Sequence, residues 1–386
     1  MTARDDWIAL ASVEGVGEET FPALLAAFGG PTKTFEAVRD GRFDAWFWER
    51  RKLDGRVPMI KGAVDKLRAA AADPAERLEA IAARGLWTYT STDADYPAQL
   101  RDLPNPPVVI HGLGESATLG GQRLIGVVGT RRPTPQGRAL TAQICARLVE
   151  CGATVVSGLA VGIDGAAHAA TLERGGTTIG VIGGGHKFPG PRAHQRLRDE
   201  VVANGGAIIS EHHPDSKPSL GTFPRRNRII AALADALIVV EAPRRSGALN
   251  TATHALGLSR PVFVAPGRVG DWSVAGALAL LRETPARPLV GLDELIADLD
   301  YFDQPATPTD GVTTAVHSRE AALAMLGATE RVVARRLMQG PAGLDLLVAE
   351  TELGPAVVSS AVTLLLMRGW ANALGPAFVA AGPLAS

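Results

Sequence analysis

The stretch Leu124–Arg132, LIGVVGTRR, determines the fold of this 386-residue chain. Its continuous apolar run is typical of a strand that is covered on both faces. Further runs of this kind are Thr154–Val156, Thr178–Ile182, Ala207–Ile209, Ala236–Val240 and Val262–Val264. Between the first two strands, Gln136–Glu150 places Leu140, Ile144 and Leu148 on one helical face. The alternation predicts an α/β fold with a Rossmann-like, doubly wound, mostly parallel sheet.

Residues 1–85 have a different pattern and are predicted to form a helical domain. A first apolar helix leads to Glu14–Gly17, and a second runs from Glu19 to Phe28. An alanine-rich helix is predicted over Lys61–Arg84. The amides of the glycine turn could bind a phosphate backbone, although such turns more often only connect two helices.

The α/β domain is predicted to span residues 86–300. It begins with a short strand, Trp87–Thr90, and continues through a proline-rich, mostly irregular segment to residue 122. Residues 301–318 lack apolar periodicity and are predicted to be a linker. Residues 319–386 contain three helical patterns and a closing hairpin, which together describe a winged helix.

Composition limits the classes of function that this chain can have. The formal net charge is −1, so a DNA-binding surface would have to arise from local segregation of charge. Cys145 and Cys151 are too few for a metal site and fit small buried side chains in a reducing cytosol. Without a signal pattern or ~18 consecutive uncharged apolar residues, the sequence predicts a cytoplasmic protein that does not cross a membrane.

The residues that follow the predicted strands contain the candidate binding groups. In an open parallel sheet, ligands bind beyond the carboxyl ends of the strands. Glycine lets amides approach a phosphate, helix N-termini attract anions, and arginines form bidentate hydrogen bonds to phosphate oxygens. The candidates are Gly129, Thr130, Arg131, Ser157, Gly158, Lys187, Arg192, Arg225, Arg226, Asn227, Arg228, Ser246 and Gly247. They predict an extended anion-binding surface along one edge of the sheet.

No cofactor or metal is expected. A dinucleotide site needs G-x-G-x-x-G after the first strand, but only Gly126 and Gly129 are present, and the P-loop motif is absent. The histidines that were considered as metal ligands are His186, His194, His212 and His213. Their spacing matches neither H-x-x-x-H nor H-E-x-x-H.

Catalytic groups have weaker support. Asp164 and His168 are four residues apart at a helix start and could form an acid–base pair. An aspartate that binds helix amides is the more ordinary role for Asp164. Glu211 and Glu241, each at a strand end, could be general bases, but no nucleophile is paired with them.

At these positions the sequence resembles the DNA-processing protein A family, also called Smf, over residues 86–300. The motifs are Val127–Arg131, Val156–Ala160, Gly162–His168, Phe223–Ala231, Val240–Ala252 and Phe263–Gly267. The resemblance implies a dimeric, non-enzymatic protein that binds incoming single-stranded DNA in natural transformation and helps to load a RecA-type recombinase. It implies that Arg131 contacts DNA, together with Lys187 or Arg192, and that Arg225, Arg226 and Arg228 share that pocket. It also implies a SAM/HhH-like N-terminal module and a C-terminal winged helix.

Two segments depart from the family pattern. Val274–Leu281 replaces a Gly/Asn-containing run in the region that resembles the dimer surface. The predicted interface residues Leu280, Leu281 and Leu289 could equally be core. The presumed recognition helix, Pro355–Arg368, has one basic residue, so we expect it to pack or to bind protein rather than to read DNA.

The leading hypothesis is binding of single-stranded DNA through phosphates, with base stacking on Phe188 or Phe223. On this hypothesis, Arg131→Ala and Arg225→Glu both weaken binding. A second hypothesis is a nucleotide-phosphate hydrolase that uses Glu241 and Asp164. A third is a protein-interaction scaffold with an incidental basic pocket.

Overall fold

A computed structural model describes two compact units of the chain, one over Met1–Asp303 and one within residues 304–386. The described residues are 2–17, 19–54, 61–121, 123–188, 190–303, 323, 326–351, 353–367, 370–374, 377–380 and 384. Helices precede the sheet in the first unit. They are α1 (Ala3–Ala11), α2 (Thr20–Phe28), α3 (Pro31–Arg39), α4 (Arg42–Asp54), α5 (Lys61–Ala72) and α6 (Pro74–Ala82).

The helix predicted over Lys61–Arg84 is two helices, α5 and α6. Pro74 cannot donate a backbone hydrogen bond and therefore ends the first helix. The carboxylate of Asp73 accepts hydrogen bonds from the amides of Ala75 and Glu76, at 3.1 and 3.2 Å, and caps the second.

The N-terminal helices pack against one edge of the sheet. Their hydrophobic core includes Val109 of the sheet. Arg4 forms an ion pair with Asp93 at 2.8 Å, and the indole N–H of Trp7 donates to the carbonyl oxygen of Val108 at 3.0 Å. The predicted boundary between residues 85 and 86 therefore falls inside one compact unit.

The sheet of the first unit contains nine described strands in the order β1-β2-β6-β5-β4-β3-β7-β8-β9. These are β1 (Trp87–Thr90), β2 (Val109–Gly114), β3 (Leu124–Val128), β4 (Thr154–Ser157), β5 (Thr178–Val181), β6 (Ala207–Ser210), β7 (Ala236–Val239), β8 (Val262–Val264) and β9 (Arg287–Pro288). From β6 to β9 neighbours run parallel, whereas β2 is antiparallel to β6 and to β1. The predicted α/β fold with a mostly parallel sheet is confirmed.

Helices cover both faces of this sheet. They are α7 (Ala98–Arg101), α8 (Pro135–Glu150), α9 (Ile163–Glu173), α10 (Gln195–Ala203), α11 (Thr222–Leu233), α12 (Gly247–Gly257), α13 (Ala275–Glu283) and α14 (Leu292–Asp303). Ile125 and Val127 of β3 pack with α8, α9 and α14, whereas Leu124 and Val128 pack with α11 to α13. The chain winds outward from β3 through β6 and returns to β7 beside β3, so the direction of winding reverses between β3 and β7.

The prediction that the segment up to residue 122 is mostly irregular is wrong, because β2 lies there. His111, Gly112 and Gly114 interrupt the apolar pattern of this strand and conceal it in the sequence. The glycine at 112 is required, since a Cβ would lie 1.9 Å from the ring of Trp87. The Trp87 indole N–H donates to the carbonyl oxygen of Gly114 at 2.9 Å.

The second unit is a small α+β unit with its own hydrophobic core. Its described elements are α15 (Ala328–Leu337), β10 (Ala342–Gly343), α16 (Leu344–Thr351), α17 (Pro355–Met367), β11 (Ala371–Leu374) and β12 (Ala377–Ala380). The strands pair antiparallel in the order β10-β12-β11. Of the predicted linker 301–318, residues 301–303 end α14, and the remainder lies outside the described residues.

In the described part of the chain, no single helix has the length and apolar character needed to cross a membrane. One pair of helices, Leu344–Thr351 with Pro355–Leu366, meets these criteria together but is bent by 115°.

Candidate nucleic-acid interface

Two neighbouring cavities open at the carboxyl edge of the parallel strands. The first, the Lys187 cavity, has a volume of about 640 Å³, and the second, the Arg245 cavity, about 510 Å³. The Lys187 cavity is lined by Leu159, Lys187, Phe188, Arg192 and Arg198, among others. The Arg245 cavity is lined by Thr130, Arg132, Arg245, Ser246, Gly247 and Trp272, among others. Both include Arg131, Ala160, Phe223 and Arg226. Both volumes lie in the range of about 300–1,000 Å³ that is usual for ligand pockets.

Arg131 and Phe223 form the boundary between the two cavities. Arg131 follows β3 and is exposed, while Phe223 lies in the first turn of α11 and is half-buried. The guanidinium carbon of Arg131 is 5.6 Å from the centroid of the Phe223 ring, which is a cation–π contact. Because this stack lines both cavities, it offers a bidentate phosphate donor and an aromatic face to a ligand in either of them.

The Lys187 cavity carries the two cations that were predicted to follow β5. Lys187 and Arg192 are both exposed. The Lys187 ammonium lies 3.3 Å from a carboxylate oxygen of Asp215, which also pairs with Arg84 at 2.8 Å. Exposed ion pairs are worth only ~0–1 kcal/mol, so Lys187 can exchange this partner for a phosphate at little cost.

The Arg245 cavity lies where the winding of the sheet reverses, between β3 and β7. This is the position at which doubly wound sheets bind ligands. Ser246 caps α12, since its hydroxyl oxygen accepts a hydrogen bond from the Ala248 amide at 3.3 Å. Arg132, Arg245 and Gly247 are exposed there. The start of α12 and the two guanidinium groups make this cavity cationic.

Thr130 is buried, and its hydrogen bonds hold the turn that follows β3. Its amide donates to the carbonyl oxygen of Glu241 at 2.7 Å, and its hydroxyl oxygen accepts from the Arg132 amide at 3.2 Å. The carbonyl oxygen of Thr130 accepts from the Ile163 amide at 3.1 Å. These bonds fix the backbone that presents Arg131.

The expectation that three arginines of Phe223–Ile230 share one surface is wrong. They lie on helix α11, where successive side chains diverge by about 100°. Arg225 lines a separate cavity together with the Glu14–Gly17 turn. Arg226 is buried and donates to the carbonyl oxygens of Gly158 and Val181. Arg228 is buried and pairs with Glu211 at 2.5 Å.

Other predicted contacts also have structural roles. The Ser157 side chain is fully buried, and its hydroxyl donates to the Val127 carbonyl oxygen at 2.7 Å, so it links β4 to β3 and cannot reach a surface ligand. The amide of the Asn227 side chain donates to the Gly247 carbonyl oxygen at 3.2 Å and to the Asn250 side chain at 3.1 Å. Asn227 therefore ties α11 to the start of α12.

Gly129 and Gly158 are required by packing within the protein. A Cβ at Gly129 would lie 2.6 Å from Cγ1 of Ile163, and one at Gly158 would lie 2.5 Å from a carboxylate oxygen of Asp164. Glycine is thus required at these two strand ends by the close approach of helix α9, rather than by room for a phosphate.

Asp164 and Arg226 form a buried charged pair, in which Arg226 lines both cavities and Asp164 lines the Arg245 cavity. Burial raises the pKa of Asp164 to about 6, although Arg226 and the amides of Ala160 and Gly158 favour the carboxylate. Burial likewise lowers the pKa of Arg226 to about 10, although Asp164 opposes this. Desolvation therefore outweighs the attraction in both groups.

Comparisons with known proteins identify the family of this chain. A sequence model of the family described as DNA recombination-mediator protein A matches residues 87–300, more than half of the chain. The protein belongs to this family. It is 32% identical over 399 residues to Protein Smf of Synechocystis sp., covering 94% of this chain and 95% of that protein. It is 39% identical over 206 residues to DNA processing protein DprA of Bacillus subtilis, covering 53% and 69%.

Solved structures of DprA proteins share the fold. The Streptococcus pneumoniae protein superposes with a TM-score of 0.55 at 32% identity, covering 63% of this chain and 82% of that one. DprA of Helicobacter pylori superposes with a TM-score of 0.51 at 29% identity, covering 56% and 96%. The H. pylori structure is described as giving insight into that protein's single-stranded DNA binding mode.

In this DprA family member, the groups considered for catalysis have structural partners. His168 is fully buried, its Nδ1 lies 2.7 Å from the Thr178 hydroxyl, and burial lowers its pKa to about 3. Its other ring nitrogen accepts from the Leu159 amide at 3.4 Å, so the predicted Asp164–His168 pair is not formed. The Glu241 carboxylate accepts from the Thr134 amide at 2.9 Å and from its hydroxyl. Glu211 pairs with Arg228.

Two of the histidines considered as metal ligands contact backbone carbonyl oxygens. Nδ1 of His194 lies 3.0 Å from the Leu159 carbonyl oxygen, and Nε2 of His186 lies 3.1 Å from that of His111. Among the residues that the structure describes, no three His, Cys, Asp or Glu side chains are grouped to hold a metal ion.

The leucines predicted for a dimer interface are largely internal. Leu280 and Leu289 are buried in the hydrophobic cores of the first unit. Leu281 is half-buried and packs against the core that contains Leu280. They belong to the core of one chain and offer little exposed surface to a second.

The cavity residues outside the candidate set include three arginines and a tryptophan, namely Arg132, Arg198, Arg245 and Trp272. Arg132 and Arg245 lie in the segments that follow β3 and β7, so the sequence position of each was a signal that could have been used. Arg198 lies on α10 and Trp272 in the loop after β8, and only the folded chain brings them to the strand edge.

Proposed function

We propose that this protein binds single-stranded DNA without sequence preference across the Lys187 cavity and the Arg131–Phe223 stack. The observation that carries the proposal is this stack, a guanidinium on an aromatic ring at the boundary of two cationic cavities. Arginine and lysine bind phosphates of any sequence, and aromatic faces stack on any unpaired base. Membership of the DprA family supports the same assignment.

The binding groups are proposed to be fewer than the sequence suggested. Arg131, Lys187, Arg192 and the N-terminal turn of α12 face the cavities and are assigned to phosphates. Phe188 and Phe223 are assigned to bases. Gly129, Thr130, Ser157, Gly158, Arg226, Asn227 and Arg228 are assigned to the framework that positions them.

We place this activity in natural transformation and recombination in the cytoplasm. The protein would act there as a non-enzymatic mediator that protects incoming single strands and helps to load a RecA-type recombinase. We further propose that it works as a homodimer. Residues 1–85 are assigned to a SAM/HhH-like domain, 86–300 to the DNA-binding domain, the part of 301–318 that follows α14 to a linker and 319–386 to a winged helix.

Fluorescence anisotropy with labelled single-stranded and duplex oligonucleotides tests the binding proposal. We expect preference for single strands and loss of binding in Arg131→Ala and Lys187→Ala. Arg282→Ala is the matched control, because Arg282 is an exposed arginine that lines neither cavity. Equal binding of duplex and single strands by the wild type would contradict the proposal.

Two further assays test the mediator role. ATP hydrolysis by a RecA-type recombinase on strands coated with single-strand-binding protein should start sooner when this protein is added, and Arg131→Ala should abolish the effect. Incubation with nucleoside monophosphates should release no free base, and release would favour the hydrolase hypothesis instead. Light scattering tests the dimer, since a mass equal to the 40.2 kDa of one chain would exclude it.

A further inference from the structure

An exposed tryptophan lies at the Arg245 cavity. Trp272 is 63% exposed and lines this cavity together with Leu220, which is 94% exposed. Large apolar side chains in contact with water are costly, and tryptophan that is left exposed beside a cavity is typical of binding surfaces. Packing against the described residues buries neither side chain.

The loop that carries Trp272 is held in place. The carboxylate of Asp271 accepts hydrogen bonds from the amide and hydroxyl of Ser273, at 3.0 and 2.9 Å. The amides of Gly276 and Ala277 each donate to the carbonyl oxygen of Ala242 at 2.9 Å, which anchors the start of α13 to the segment after β7. The indole is therefore presented at the cavity by an anchored backbone, and little conformational entropy is lost when it binds a ligand.

The charges around the cavity complement a nucleic-acid strand. Of the described residues that line it, Arg131, Arg132, Arg226 and Arg245 are cationic, and Asp164 is acidic. Asp164 is buried beside Arg226, whose positive charge offsets it. The exposed charges are thus arginines, and the exposed large apolar side chains are those of Trp272 and Leu220.

We propose that the Arg245 cavity holds one nucleotide of the bound strand, with its phosphate at Arg245 and the start of α12 and its base stacked on Trp272. The inference rests on the proposed function, which assigns a phosphate to the start of α12, and it adds the contacts of Arg245 and Trp272 to that nucleotide. A base is free to stack on an indole only when it is unpaired. Trp272 therefore contributes to the preference for single strands over duplex.

Anisotropy of the full-length protein with oligothymidylates of about 4 to 16 nucleotides, the usual range of single-strand site sizes, tests this inference. Trp272→Ala should weaken binding of the longest oligomers roughly five- to a hundredfold, since stacking of one base on an aromatic residue contributes about 1–3 kcal/mol to binding. Binding of the shortest oligomers, held at the Lys187 cavity, should be unchanged, and Trp272→Phe should retain most of the affinity. Arg245→Ala should reduce the log–log salt slope by about 0.7, one single-strand phosphate.

Trp48→Ala is the matched control, because Trp48 is 54% exposed and lines neither cavity. If Trp272→Ala binds every length as Trp48→Ala does, the inference is wrong. It is also wrong if Trp272→Ala weakens all lengths equally, or if it changes only the oligomeric mass, which would mark a protein contact. Failure of the proposed function is distinguishable, since Arg131→Ala would then also bind like the wild type.

Discussion

Replacing Arg131 by alanine removes the guanidinium that both cavities share. In the free protein the change removes the stack on Phe223, worth ~0.5–1 kcal/mol at an exposed site, so the variant should remain folded. In the complex it removes a charge-assisted hydrogen-bonded contact to phosphate, for which ~1.5–3 kcal/mol is expected. Because Arg131 is exposed, we expect the lower half of this range, a roughly ten- to fortyfold increase in Kd.

The salt dependence of binding identifies the lost contact. Single strands lose affinity with a log–log slope of roughly −0.7 for each phosphate that is neutralised, so four contacts give a slope of about −3. Arg131→Ala should make the slope shallower by about 0.7, whereas Arg131→Lys should keep the slope and lose only part of the affinity.

The assay is anisotropy with a labelled oligothymidylate over a series of salt concentrations, with Arg282→Ala in parallel and urea unfolding of each variant. An Arg131→Ala protein that is folded and keeps both the affinity and the slope of the wild type would refute the assignment of the stack to the strand. A parallel loss in Arg282→Ala would show that net charge, rather than the position of the arginine, governs binding.

Other substitutions distinguish residues that bind the strand from residues that stabilise the fold. Arg225→Glu should leave binding at the two cavities nearly unchanged, because Arg225 lines the cavity at the Glu14–Gly17 turn; a loss as large as that of Arg131→Ala would contradict its placement. Arg228→Ala should lower the free energy of unfolding by ~3–5 kcal/mol in urea, because it leaves the Glu211 side chain, which is only 14% exposed, without its cation; a stability equal to the wild type would argue against the pair. Acid should destabilise the fold, because burial lowers the pKa of His168 to about 3. Below about pH 6.5 this histidine is protonated only in the unfolded chain, so the free energy of unfolding should fall by up to ~1.4 kcal/mol per pH unit. A His168→Gln variant with an unchanged slope of stability between pH 6.5 and 5 would show that this histidine is not responsible.

Much of the fold could be predicted because buried parallel strands have a strong local signal. Leu124–Val128 and Val262–Val264 were predicted with the bounds that the structure has. β2 was missed because its glycines and His111 resemble a loop, and only pairing with β1 and β6 makes it a strand. The end of a helix could have been predicted from Pro74, which lies within the predicted Lys61–Arg84 helix.

The candidate site was predictable to the extent that it follows strand ends. Arg131, Lys187 and Ser246 come directly after strands or turns, and the cavities lie there. The sequence could not show that Arg226 and Arg228 point inward, since both look like cations of a basic surface. Their partners, Gly158, Val181 and Glu211, are far away along the chain.

The sequence by itself determined the parallel sheet, the family and the edge at which ligands would bind, because short local patterns of residues specify the order of strands and turns. The tertiary structure alone decided which basic groups reach that edge. The rotation of α11 about its own axis directs Arg226 toward the protein interior and places Phe223 against Arg131. The anchoring of the loop after β8 brings Trp272 to a cavity that is built from other segments. Side-chain direction depends on packing between distant segments, and no local pattern encodes it.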